Sequence, residues 1–89
     1  MDFEKIIEKV VEQEGDLIGP VAVRKADSVD GVEVSEDGEA NLSSNDGEKV
    51  LSDILESYSD VVGKNAVDGL KRNVAKSLDE VPEVLEVES

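Results

Sequence analysis

The chain has 89 residues, with 9 Lys and Arg against 23 Asp and Glu, for a formal charge of −14, and it contains no His, Cys or Trp. That inventory excludes an imidazole base, a thiol nucleophile, a Cys/His zinc site and a disulfide framework. The negative charge repels phosphate backbones and anionic membrane surfaces, so neither nucleic acid nor membrane is an expected partner.

The first element expected is a helix over residues 3–14. Phe3, Ile6, Ile7, Val10 and Val11 follow the i, i+3, i+4 spacing of one helix face, with Glu4, Lys5, Glu8, Lys9 and Glu12 on the other. Gly19 breaks the pattern, and Pro20 suits the first turn of a second, short helix over 20–28. Residues 31–43 read as a β-hairpin. A two-residue Asp37-Gly38 turn would set Val32 and Val34 opposite Ser43 and Asn41. A three-residue loop over 36–38 instead pairs Val34 with Ala40 and Val32 with Leu42. That register makes one apolar face, so it is preferred, with Gly38 left-handed.

Asn41–Asp46 is a polar connector. A third helix over 47–60 carries Val50, Leu51, Ile54, Leu55 and Tyr58 as its stripe, with Asn45 and Glu48 as a capping pair. After Gly63, residues 64–78 repeat helical spacing at Ala66, Val67, Leu70, Val74 and Leu78. Leu85 and Val87 alternate with Glu86 and Glu88, which suits a third strand, and an acidic tail over 80–89 is the alternative.

Two stretches are also alike. A shift of 44 residues lays 3–23 on 47–67 without a gap, and 13 of the 21 positions are identical or aliphatic in both. Helix periodicity accounts for the aliphatic matches. It does not demand the shared Asp-h-h-Gly-x-x-Ala-Val that follows, where h is aliphatic, and this points to an internal duplication.

The expected architecture is therefore α+β: helix, helix, hairpin, helix, helix, with the two helical pairs as repeats. One domain is expected over 1–79, with 80–89 as its acidic tail or edge strand. Disorder is not expected, because Leu, Ile, Val and Phe make up 27 of the 89 residues, about 30%.

Chemistry is sparse. Glu33, Glu36, Asp37 and Glu39 cluster at the hairpin tip, without an aromatic platform or apolar pocket that would push two carboxyl pKa values apart. Asp27–Gly31 and Asn41–Gly47 place acids or amides before a glycine, and neither has the full spacing of a calcium loop. Gly15, Gly19 and Gly63 make no phosphate cradle, and no serine has a base beyond Lys or carboxylates. No catalytic residue, metal site or cofactor is expected, and cations would associate only non-specifically. Arg24-Lys25 and Lys71-Arg72 are basic pairs, each near the same part of its repeat unit. They suit helix C-termini, or two positive spots for an acidic partner.

Acidic excess, few aromatics and a Val-rich apolar set resemble the composition of proteins from salt-in halophiles such as haloarchaea. Molar salt shrinks the Debye length to about 3 Å and screens such self-repulsion. Ile18-Gly19-Pro20-Val21-Ala22 resembles the Ile-Gly-Pro-Ile-Ala signature of small helical modules appended to some bacterial signalling proteins. That resemblance implies a protein-interaction role; the second copy, Val62-Gly63-Lys64-Asn65-Ala66, lacks the proline. The expected function is a non-enzymatic interaction or regulatory module of a halophile cytoplasm, acting through a protein partner or self-association. Its surface would be the hairpin face of Val32, Val34 and Leu42, or the junctions at Gly19-Pro20 and Gly63. The alternative is an acidic nucleic-acid mimic that binds a basic protein.

Overall fold

Both long helices begin on an aspartate. In the computed structural model, which describes residues 1–87, α1 spans Phe3–Ile18 and α3 spans Gly47–Val62. The Asp2 carboxylate accepts a hydrogen bond from the Lys5 N–H, and the Asp46 carboxylate accepts one from the Lys49 N–H. These caps satisfy backbone donors that the first turn leaves free. The cap of α3 is thus Asp46, and not the expected Asn45. Both helices end on a glycine with positive φ, Gly19 at 66° and Gly63 at 90°, whose N–H donates to the carbonyl of Gly15 or Ser59. Helix α1 runs through Gly15 and stops four residues later than the pattern suggests.

Beyond the glycines, α2 spans Val21–Asp27 and α4 spans Lys64–Ala75. Each packs against its own long helix, and α2 also packs on α3 while α4 packs on α1. Position 3 meets position 47: a Cβ on Gly47 would lie 2.7 Å from the Phe3 Cβ, so only glycine fits there. Near the other end, Glu14 of α1 lies close enough to Tyr58 of α3 for its charge to act on the Tyr58 hydroxyl. Positions 44 apart thus come near each other toward both ends of α1 and α3, which are in contact.

The hairpin has the expected register. Strands β1 (Val32–Val34) and β2 (Ala40–Leu42) are antiparallel, with Val32 opposite Leu42 and Val34 opposite Ala40. Gly38 has φ of 88° in the connecting loop. The apolar face lies against α1 and α2, which cover the strands and complete the core.

Carboxylates bind the outer edges of this small sheet. Glu8 Oε2 accepts from the Ala40 N–H at 2.9 Å, and Glu4 Oε2 accepts from the Leu42 N–H at 2.8 Å. On the opposite strand, Asp27 Oδ1 accepts from the Val34 N–H at 2.9 Å. Glu4 and Glu8, expected on the solvated face of α1, are half-buried acceptors instead. Strand amides turned away from the hairpin ladder need such acceptors once helices exclude water from them.

No third strand extends the sheet of the described residues. Within the stretch expected as an acidic tail or edge strand, Glu83–Leu85 forms one 3₁₀ turn, and Leu85 is 1% exposed against α3 and α4. Pro82, extended at φ −66° and ψ 149°, sets the direction of that turn. Residues 88 and 89, where the expected strand would have ended, lie outside the described residues. Among the described residues no helix is long and apolar enough to cross a membrane.

Candidate functional site

The expected interaction residues divide. Val32 and Val34 are buried, so most of the hairpin's aliphatic face is internal, while Leu42 is half-buried against the core and also lines a surface hollow with Met1 and Phe3. The alternation of apolar residues identified the face correctly, but the helices take it as their floor. The junction residues remain accessible: Gly19 is half-buried, and Pro20 and Gly63 are exposed. Beside the two glycines, Leu17 is 70% and Val61 44% exposed. These side chains occupy matching positions 44 apart, and their exposure is not visible in the helical spacing alone.

The basic pairs also divide. Arg24 is exposed and Lys25 half-buried, both in the last turn of α2, where cations complement the helix dipole. Neighbours on a helix are turned about 100° apart, so Lys71 and Arg72 face different sides of α4. Lys71 lines a hollow between α3 and α4 with Lys64, Leu55 and Val84. Arg72 lines a separate groove between the end of α4 and the C-terminal turn.

That groove has a volume of about 700 Å³. Its floor is aliphatic: Ala75 from α4, with Val81, Leu85 and Val87 from the turn region. Val81 is 38% exposed there, whereas Leu85 is buried. Arg72 and Lys76, one helical turn apart, line it with their cationic side chains, and Glu86 contributes a single carboxylate. Among the described residues the one ion pair is Lys49–Asp53 on the surface of α3, so neither groove cation is paired in this way. Arg72 is the one lining residue among the expected interaction residues; Lys76 is the second cation, which that expectation lacks. Its i+4 relation to Arg72 is legible in sequence, but the groove exists only because Pro82 and Leu85 fold the turn back beside α4.

A second hollow, about 680 Å³, lies between α1, α2 and the hairpin tip. Glu8, Glu12 and Asp16, spaced four apart on α1, line it opposite Glu36, Asp37 and Glu39, with no cation in the lining among the described residues. Most of this charge is hydrated. Asp37 has a local task, accepting hydrogen bonds from the Ser35 hydroxyl and the Glu39 N–H. Those bonds, the hydroxyl first, hold its carboxyl below the usual aspartate range.

Glu14 is the unusual carboxylate. It is 0% exposed, and neither side-chain oxygen has a hydrogen-bond partner. Desolvation raises its pKa above the ordinary glutamate value. Tyr58 is also fully buried, and its hydroxyl donates to the Ala22 carbonyl at 2.8 Å. Burial, and then the Glu14 charge, raise the Tyr58 pKa. The pair lies inside the helical core and lines neither hollow.

Among the described residues no three His, Cys, Asp or Glu side chains are grouped as a metal ligand set. Comparison of the chain with protein-family models, curated proteins and solved structures finds no match.

Proposed function

We propose that this chain is a non-enzymatic interaction or regulatory module working in the cytoplasm of a salt-in halophile, with another protein or a second copy of itself as partner. The observation that carries the proposal is the uneven distribution of charge. Residues 64–76, which are α4 and its cap, hold four of the chain's 9 cations and one of its 23 carboxylates. A cationic helix on an acidic body gives a partner an element that differs in kind from the rest, with Lys64 and Lys71 on one side of it and Arg72 and Lys76 on another. Electrostatic contrast of this sort sets orientation and partner choice more than raw affinity.

The habitat part of the proposal is supported by the state of the acids. Exposed carboxylates stand on α1, α2, β1, α3 and the C-terminal turn, and a single ion pair is formed among the described residues. Such a surface repels itself in dilute buffer and is relieved in molar salt. The internal duplication belongs to the same reading. It is supported by two 16-residue helices whose caps and ends recur at a spacing of 44.

Light scattering and circular dichroism from dilute buffer to about 3 M KCl test the proposal. Helix content and Tm are expected to rise with salt. A chain equally folded at every salt concentration refutes the halophilic part. A chain that stays monomeric and binds neither acidic nor basic peptides refutes the interaction part.

The acidic hollow between α1 and the hairpin tip favours the second reading, a nucleic-acid mimic that binds a basic protein. Against it, the exposed acids are spread over several elements, not aligned on one face. This reading requires an oligolysine peptide to shift the amide resonances of Glu12, Asp16 and Glu36 ahead of those of Asp60 and Asp79, in a salt-dependent manner.

A further inference from the structure

We infer that the groove between α4 and the C-terminal turn docks a short protein segment in which aliphatic side chains alternate with carboxylates. The inference rests on the interaction role proposed above and names its partner. Two features of the groove select that chemistry together. The floor of Ala75, Val81, Leu85 and Val87 rewards an aliphatic side chain that displaces water from it. Arg72 and Lys76 stand one turn apart on the same helix and need carboxylates to complement them. Among the described residues Glu86 is the single acid in the lining, so the segment lies with its carboxylates toward α4 and away from Glu86. The volume, about 700 Å³, lies within the range of roughly 300–1,000 Å³ that holds a compact ligand and suits a few residues of an extended chain.

The total charge of −14 acts against any acidic partner at a distance. In molar salt that opposition is screened beyond about 3 Å; the ion pairs of the exposed Arg72 and Lys76 are weakened too, whereas burial of the aliphatic side chains is not. A short acidic segment is therefore accepted where a long polyanion would be refused. The interaction is expected to strengthen with KCl over the range in which long-range repulsion dominates.

The test is fluorescence anisotropy of a labelled Leu-Glu repeat peptide, titrated with the full chain in dilute buffer and in molar KCl. A labelled Leu-Lys repeat peptide serves as the comparison. The Leu-Glu peptide is expected to bind in molar KCl, and the double variant R72E/K76E to weaken it about tenfold or more. Val81→Asp, at an already exposed position, is expected to weaken it as well. R24E/K25E makes the same charge change on α2, outside the groove, and is expected to leave affinity within about twofold. Circular dichroism checks that each variant retains its helices.

Equal losses from the α2 and α4 variants overturn the inference, as does tighter binding of the Leu-Lys peptide. Absence of binding by a folded chain also overturns it. The interaction module then survives only if the chain self-associates or binds the basic peptide elsewhere, so the two failures are distinguishable.

Discussion

Replacing Glu14 by methionine is expected to stabilise the protein at neutral pH. The carboxyl is 0% exposed and both of its oxygens lack partners, so the folded chain bears a desolvation cost that no hydrogen bond offsets. An unsatisfied buried group of this kind costs on the order of 1–3 kcal/mol, more when charged. Methionine is unbranched, apolar and of similar length, so it occupies the site without a polar atom to satisfy. A gain of about 2 kcal/mol corresponds to a rise of about 8–16 °C in Tm for a domain of this size.

The pH dependence carries the same information with a defined sign. Desolvation places the folded pKa of Glu14 above 4.5, its ordinary value. Folding therefore takes up a proton between the two values. Stability from this group is fully present below the unfolded pKa and is lost as pH rises through the folded pKa. Other carboxylates titrate too, so the informative quantity is the difference between wild type and Glu14→Met. That difference is expected to be small in acid and to widen toward neutral pH. Thermal melts followed by circular dichroism, at several pH values and one KCl concentration, measure it. A variant less stable than wild type at neutral pH, with a parallel pH profile, would refute the reasoning. It would show that the carboxylate has a partner in solution, such as bound water or a cation.

Glu8→Ala removes the acceptor of the Ala40 N–H and is expected to cost about 1–2 kcal/mol, whereas Glu8→Gln keeps an acceptor and relieves charge. Amide exchange at Ala40 separates the two, accelerating in the alanine variant alone. Tyr58→Phe leaves the Ala22 carbonyl without its buried donor, and urea titration is expected to report a loss of about 1–2 kcal/mol. Gly63→Ala meets no steric neighbour but forces a Cβ into φ 90°, ψ 161°, at an expected cost of about 1–3 kcal/mol. An unchanged urea midpoint would show that the junction relaxes to a conformation open to all residues.

Much of the fold is legible in the sequence, because its signals are local. The apolar spacing of Ile6, Ile7, Val10 and Val11 and of Val50, Leu51, Ile54 and Leu55 specifies two helices, and those residues are the buried ones. Pairing Val34 with Ala40 settles the hairpin register, since a slip by one residue would turn apolar side chains to water. The matching glycines mark both helix ends. The boundaries shifted where local cues compete: Asp46 displaced Asn45 as the cap, and Gly15 did not stop α1.

Tertiary structure decided everything that depends on which surfaces meet. Glu4 and Glu8 look like solvated helix residues until β2 presents unpaired amides to them. Val32 and Val34 look like a free apolar face until α1 and α2 cover it. Glu14 matches Tyr58 in the sequence register, but nothing in the chain's order says that both positions are buried within electrostatic reach of each other. The groove of Arg72 and Lys76 likewise depends on the 3₁₀ turn burying Leu85 beside α4, where an alternating sequence suggested a strand. Periodicity fixes which face of an element is apolar; the partner that covers it is chosen by long-range packing, which periodicity does not encode.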